Sequence, residues 1–198
     1  MPLFGAWRHE GCTARHDTEH LGRGLERRET PGNSVSMSAP HRTSVRVRNA
    51  VGQDMLDLLR LDREAFPENP MPHSILRQFL DMFADHLLVV EEGDSRLCAY
   101  LLATPPDKGR SWVVSLGVAP AMRRRGHAKR LMRESLSKLR AEGADTVLLW
   151  VEPTNEPATA LYRFFGFVAA ETGPRRDHFG PGAHRTLMTL SLNPPDAL

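Results

Sequence analysis

Residues 115–128 read SLGVAPAMRRRGHA, an apolar strand that runs into a basic turn and then into a long helix. Gly126 lets the backbone turn tightly, and the small side chain of Ala128 leaves the first helical turn uncrowded. Unpaired backbone amides and the helix dipole bind phosphate oxygens at such a position. Arg123, Arg124 and Arg125 add positive charge there. The stretch therefore predicts a polyphosphate site, and the alternative is a basic helix start on a solvated surface.

The apolar residues on either side of this stretch are regularly spaced. Their periodicity predicts a helix at 124–142 between strands at 111–118 and 146–151, and a unit of this kind makes the two strands parallel. Hairpin patterns elsewhere predict antiparallel neighbours. The other predicted elements are helices at 52–66, 72–83 and 156–165 and strands at 44–48, 87–91, 97–104, 167–170 and 186–192. We expect an α/β fold of three layers (α/β/α), with a mixed, largely antiparallel central sheet and one parallel pair.

The chain divides by composition into one organised region and two tails. Residues 43–192 carry the periodic pattern and form the predicted domain, and 193–198 are a short C-terminal tail. Residues 1–42 mix Gly, Arg, Glu, His and Ser with scattered apolar residues, so they bury too little to offset the entropy of ordering. We expect this segment to be disordered or loosely attached. Met37, just before the first strand, is a candidate translation start.

Composition limits the classes of function. The 198 residues fit one domain, and 26 Lys and Arg against 24 Asp and Glu give a net charge of +2, which provides no general attraction to nucleic acid. No apolar run is long enough to span a bilayer, and the first residues lack a secretory pattern. Two cysteines make no disulfide framework, so we expect a cytoplasmic protein. We expect no metal, because the spacing of His9, Cys12, His16 and His20 does not match a paired zinc knuckle.

The basic turn and its strand resemble a known family signature. Arg123-x-x-Gly126-x-Ala128, after a strand ending Leu-Gly-Val-x-Pro, is similar to the acetyl-CoA signature of the GNAT superfamily of N-acetyltransferases. The resemblance implies acetyl-CoA as co-substrate, with its pantetheine arm on the strand backbone and its pyrophosphate on the turn. The implied contacts are Leu116, Gly117 and Val118 for pantetheine, and Arg123, Arg124, Arg125, Gly126, His127, Ala128 and Lys129 for the pyrophosphate.

A second stretch points to the same family. Residues 149–167 read LWVEPTNEPATALYRFFGF and resemble the family's strand–Asn–x–x–Ala–x–x–Leu–Tyr–x–x–x–Gly–Phe pattern. Asn155 is the predicted N-cap of the helix, and Tyr162 follows about two turns later, so both can face one edge of a cleft. The resemblance implies that both contact the cofactor. It is nearest to the branch that acetylates ribosomal-protein N-termini.

The resemblance also implies a mechanism. An acceptor amine (a protein N-terminus, a lysine or a small molecule) attacks the thioester directly in a ternary complex, and Tyr162 protonates the leaving thiolate. The general base departs from the family pattern, because Trp150 stands where the ribosomal-protein relatives have Glu. Glu152 is the candidate base, and Glu91, Glu92 or a water chain are the alternatives.

The acceptor side is expected to consist of helices in residues 52–85 and of the loop 173–184. Within that loop, His178 is a second candidate proton carrier. A different class of function, a non-catalytic coenzyme-A-binding sensor or partner-binding domain, is the main alternative. Nucleic-acid binding through Arg123–Arg125 ranks last, because no aromatic stacking platform accompanies the arginines.

Overall fold

The computed structural model describes residues 44–93 and 96–193, in which seven strands form one sheet. The strands follow the order β1-β2-β3-β4-β5-β7-β6 across the sheet. They are β1 (Val45–Asn49), β2 (Leu87–Glu92), β3 (Arg96–Ala103), β4 (Arg110–Val118), β5 (Thr146–Val151), β6 (Val168–Ala169) and β7 (Thr186–Ser191). The helices are α1 (Met55–Ala65), α2 (His73–Phe83), α3 (His127–Ala141) and α4 (Glu156–Phe164). The predicted mixed α/β fold is confirmed.

Each face of the sheet carries its own apolar core. On one face, α3 and α4 pack against the sheet, with Leu131 and Leu139 of α3 fully buried beside Leu101 and Val147. On the other face, α1 and α2 bury residues such as Leu58 and Leu76 against β2 and β3. The layers arise because each helix has one apolar side that must be removed from water. None of the described helices is long and apolar enough to cross a membrane.

The predicted parallel pair is β4 with β5, and it is short. Its register runs from Arg110 opposite Thr146 to Val113 opposite Leu149. Beyond that point β4 continues to Val118 while paired only with β3, and a register irregularity beside Ala103 makes Val114 an extra residue in β4. A bulge bends its strand and increases the local twist. The ends of β4 and β5 therefore diverge, which opens a cleft between two neighbouring strands.

A buried polar network fixes the segment between α1 and α2. The Asp62 carboxylate accepts a hydrogen bond from the Tyr100 hydroxyl at 2.5 Å and another from the Met71 backbone amide at 2.6 Å. The Tyr100 oxygen also lies 2.7 Å from Ser115 Oγ in β4. Because a carboxylate only accepts, Tyr100 donates to Asp62 and Ser115 donates to Tyr100. The network therefore ties this loop to the central strands.

The observed bounds differ from the predicted ones by less than one helical turn. One such difference concerns the helix predicted from 124, which begins at His127. Arg124 and Gly126 have φ of 64° and 86°, and the left-handed region interrupts a right-handed helix. The predicted N-terminal tail with its Met37 start and His/Cys cluster, and the C-terminal tail after Asn193, lie outside the described residues.

Candidate active site

A cleft of about 860 Å³ occupies the space between the diverging ends of β4 and β5. The last residue of α1 and the segment after it, residues 65–69, form one wall, and one side of α4 from Pro157 to Tyr162 forms another. Residues 181–183 and Arg185 complete it. The predicted site residues that line this cleft are Leu116, Gly117, Val118, Arg123, Ala128, Glu152, Asn155 and Tyr162. The structure therefore brings together residues from both sequence stretches.

The floor of the cleft is the end of β4, where Leu116, Gly117 and Val118 pair with β3 on one side. On the side facing β5 the ladder has ended, so peptide groups there can hydrogen-bond to a ligand instead of a strand. A Cβ on Gly117 would lie only 2.6 Å from Cε1 of Tyr100. Glycine at this position therefore lets β4 lie directly on the Tyr100 ring.

The start of α3 forms the predicted anion-binding turn beside the cleft. Gly126 caps the helix in the left-handed conformation. In the described chain, the first amide at this end that donates to a backbone carbonyl is that of Arg130, which bonds to Gly126 O at 3.0 Å. The amides of residues 124–129 donate to no backbone carbonyl of the described residues and are left for an anion. The helix dipole adds to their attraction. The free backbone amides at the start of α3 therefore suit the oxygens of a pyrophosphate group.

The basic side chains of this turn have different surroundings. Arg123 donates to Val118 O at 3.3 Å and to Ala65 O at 3.4 Å, so it links β4 to the end of α1. Lys129 places Nζ 3.7 Å above the Phe164 ring, a cation–π contact. Arg124 is exposed and has no ion-pair partner among the described side chains. Arg124 is therefore the arginine of the triplet with the fewest internal contacts.

Glu92 of β2, named from the sequence only as an alternative base, contacts the residues on both sides of Gly126. One carboxylate oxygen lies 3.3 Å from Nη1 of Arg125, and the other lies 2.9 Å from Nε2 of His127. These two residues flank Gly126, so one carboxylate contacts both sides of the turn, through a hydrogen-bonded ion pair with Arg125 and a close approach to His127 that lacks hydrogen-bond geometry. The His127 side chain is 2% exposed, and only its backbone amide can reach a ligand. Sequence reasoning missed this role, because β2 and α3 are distant in the chain.

We expect Glu92→Gln to raise the acetyl-CoA Kd about tenfold. The neutral glutamine amide would interact more weakly with Arg125 and His127 than the Glu92 carboxylate does, so the turn would be held less firmly. Turnover at saturating acetyl-CoA should stay within about twofold, because Glu92 lies outside the cleft lining. Isothermal titration calorimetry and initial rates measure the two quantities.

Glu91→Gln is the matched control for this prediction. Glu91 is the neighbouring carboxylate, and it accepts from Nε of Arg48 at 2.8 Å on the opposite side of the strand. Its loss should leave the acetyl-CoA Kd unchanged. Equal effects of the two variants would show that Glu92 does not position the turn.

Glu92, Cys98 and His127 are also the described residues that could hold a metal. Their candidate ligand atoms lie within 4.8 Å of one another. Burial raises the pKa of the Cys98 thiol to about 11, so the thiol is protonated at neutral pH and is a poor ligand in that form. The expectation that the protein uses no metal remains a prediction.

Asn155 and Tyr162 lie on the α4 wall of the cleft. The predicted N-cap is confirmed, because Asn155 Oδ1 accepts from the Ala158 amide at 3.1 Å. Tyr162 is 7% exposed, packs on Phe167 and lines the cleft. Burial raises the pKa of its phenol to about 12. At neutral pH the hydroxyl therefore keeps its proton and can donate it.

Trp150 and His178 have a supporting position rather than a place in the cleft lining. Their ring centroids are 4.2 Å apart, and Trp150 also stacks on Trp112 of β4. Phe179 meets the edge of Trp150 from the same loop. Trp150 thus holds the 173–184 loop against the sheet. Glu152, two residues later, is exposed and lines the cleft.

A mixed sheet that splays at its parallel pair, beside a helix start with free amides, gives the cleft a free strand edge and a place for an anionic group. Residues 53–167 match the sequence profile of the Acetyltransferase (GNAT) family, and the chain belongs to this family.

Individual relatives agree with this assignment. A mycothiol acetyltransferase from Beutenbergia cavernae is 32% identical over 159 residues, which cover 75% of this chain and 54% of that protein. An N-alpha-acetyltransferase from Sulfurisphaera tokodaii is 29% identical over 161 residues, which cover 74% of this chain and 93% of that protein. The protein yncA from Salmonella typhimurium, solved with its cofactor acetyl-CoA, has the same fold with a TM-score of 0.63 and 18% identity, covering 78% of this chain and 99% of that one.

The chain spans little more than half the length of the mycothiol acetyltransferases that it resembles, 54% to 59% for the first three of them. The N-alpha-acetyltransferase matches over nearly its whole length. The shared part is therefore one acetyltransferase domain.

Proposed function

We propose that this protein transfers the acetyl group of acetyl-CoA to a primary amine by direct attack in a ternary complex. The observation that carries the proposal is the meeting of three features at one cleft: the unpaired edge of β4, the anion-binding start of α3 and the buried phenol of Tyr162. The first two fit the pantetheine and pyrophosphate of coenzyme A. The third supplies a proton donor.

Each part of the cleft has a task in this reaction. The amides at the start of α3 bind the pyrophosphate, and the free edge of β4 aligns the pantetheine arm. A backbone amide between Leu116 and Val118 donates to the acetyl oxygen as charge develops there. Glu152 accepts the proton that the amine loses, directly or through water. Tyr162 donates its proton to the thiolate that leaves.

The comparisons support this proposal at the level of the reaction. Mycothiol acetyltransferases and an N-alpha-acetyltransferase are named for acetyl transfer, and yncA was solved with acetyl-CoA. The two kinds of relative differ in their acceptors, so the names alone leave the acceptor class open. The low cysteine content supports a cytoplasmic location as part of the same proposal.

We expect acetyl-CoA at about 100 times its Kd to stabilise the folded protein by roughly 2.7 kcal/mol, because it binds only the native state. For a domain of this size that corresponds to a rise in Tm of about 5–10 °C, measurable by scanning calorimetry. Thiol release in the presence of a panel of primary amines then measures transfer. If acetyl-CoA binds but no amine causes thiol release, the non-catalytic coenzyme-A-binding alternative is favoured. If acetyl-CoA causes no shift in Tm, both the acetyltransferase function and this alternative are contradicted.

A further inference from the structure

The cleft lining carries charges of both signs. Glu152 and Glu68 line it, and Arg185 lines it from the segment that enters β7. Among the described residues, none of these three side chains forms an ion pair. Arg123, the other arginine of the lining, already donates to two backbone carbonyls. Arg185 is therefore the cleft cation that is available for an anionic ligand.

The guanidinium of Arg185 is held in a defined place. Nη1 donates to His184 O at 2.7 Å, and the guanidinium carbon lies 5.5 Å from the centre of the Phe179 ring. Phe179 in turn packs on His178 and Trp150, which anchors the loop to the sheet. A stacked guanidinium keeps its remaining donors in a planar fork that suits carboxylate and phosphonate oxygens. The aromatic contacts thus hold the Arg185 guanidinium in an orientation in which it can bind an oxyanion.

The sheet register brings the two kinds of charge to one end of the β5–β7 ladder. The last pair of β5 and β7 is Val151 opposite Thr186. Glu152 follows Val151 and Arg185 precedes Thr186, so both residues stand at this end of the ladder, and both line the cleft. A ligand that contacts both side chains needs its cationic and anionic groups within a few bonds of each other.

We propose that the acceptor is a small zwitterion, a primary amine that carries a carboxylate or phosphonate a few bonds away, as an amino acid does. This inference rests on the proposed acetyl transfer and specifies its acceptor. Arg185 binds the acidic group, and the carboxylates of Glu152 and Glu68 attract the ammonium form before it loses its proton. A peptide N-terminus lacks this acid, because its α-carboxylate has become an amide.

The test compares matched acceptors in the full-length protein. We expect kcat/KM for an amino acid to exceed that for its carboxamide or for a dipeptide beginning with the same residue by about tenfold to a hundredfold. Aminoalkylphosphonates form a second arm of the test. The proposal is supported if either class, carboxylate or phosphonate, is preferred over its neutral analogue. Arg185→Gln should remove the preference, because it lowers kcat/KM for the acid much more than kcat/KM for the amide.

Arg176→Gln is the matched control, because Arg176 lies in the same loop, is exposed and does not line the cleft. It should retain the preference for the acid. Equal rates for acid and amide in the wild type, or equal losses in the two arginine variants, would overturn the inference.

Calorimetric binding of the same acceptor pairs to the coenzyme-A-loaded protein measures the preference without turnover. A binding preference without acetyl transfer would leave the inference standing and contradict the proposed function. Transfer without a preference would contradict the inference alone.

Discussion

We expect Tyr162→Phe to lower kcat by about a hundredfold or more, because positioned general acids contribute roughly 10²–10⁴-fold to such reactions. The substitution removes one oxygen and keeps the ring that packs on Phe167, so the core should be preserved. The acetyl-CoA Kd should change by less than about twofold. Thiol release and calorimetry measure the two quantities, and an unchanged kcat would remove Tyr162 as the acid.

The pKa of Tyr162 makes a second prediction for the same residue. Burial raises that pKa to about 12, since the charged phenolate is disfavoured away from water. The proton needed by the thiolate is therefore present at all lower pH values and is lost only as pH rises through about 12. The rate should show no fall near pH 10, the ordinary pKa of tyrosine. A fall there in wild type that disappears in Tyr162→Phe would contradict a buried acid.

Gly117→Ala is expected to destabilise the fold by about 1–3 kcal/mol, because it inserts a methyl group into a packed contact. The new Cβ would lie 2.6 Å from the Tyr100 ring and 3.3 Å from the Ala65 side chain. Tyr100 cannot retreat easily, since Asp62 and Ser115 hold its hydroxyl. The end of β4 must shift into the cleft instead, so acetyl-CoA affinity should fall together with stability.

Gly52→Ala is the matched control for the destabilisation expected of Gly117→Ala. A Cβ on Gly52 would meet no atom within 4 Å, and no left-handed backbone conformation is present there. Chemical denaturation should show a change close to zero for Gly52→Ala. A loss of stability in Gly117→Ala no larger than in the control would show that β4 does not need glycine beside Tyr100.

Local patterns predicted most of the fold. The helix at α3 and its flanking strands were predicted because apolar spacing and chain order alone make β4 and β5 parallel. The predicted start of that helix lies three residues before the observed one at His127, since the left-handed conformation of Arg124 leaves no trace in hydrophobic periodicity. The N-cap at Asn155 was predicted correctly, because capping depends on contacts three residues apart.

The candidate site was predicted only where its residues are neighbours in sequence. The turn at Gly126 and the α4 pattern with Tyr162 are local, and both lie at the cleft or beside it. The roles of Glu92 and Arg185 were not predicted. Glu92 reaches the turn from β2, and Arg185 reaches the cleft from the segment before β7, so only the folded sheet brings them into place.

The sequence by itself determined the order of strands and helices, the glycine turn before α3 and the family, because these depend on short-range spacing, glycine positions and helix caps. The tertiary structure decided where β4 leaves β5, which carboxylate holds the turn and which arginine is left for a ligand. These features depend on strand register and on side chains that are far apart in the chain. Pairwise contacts of that kind form only when the sheet has assembled, so no local pattern records them.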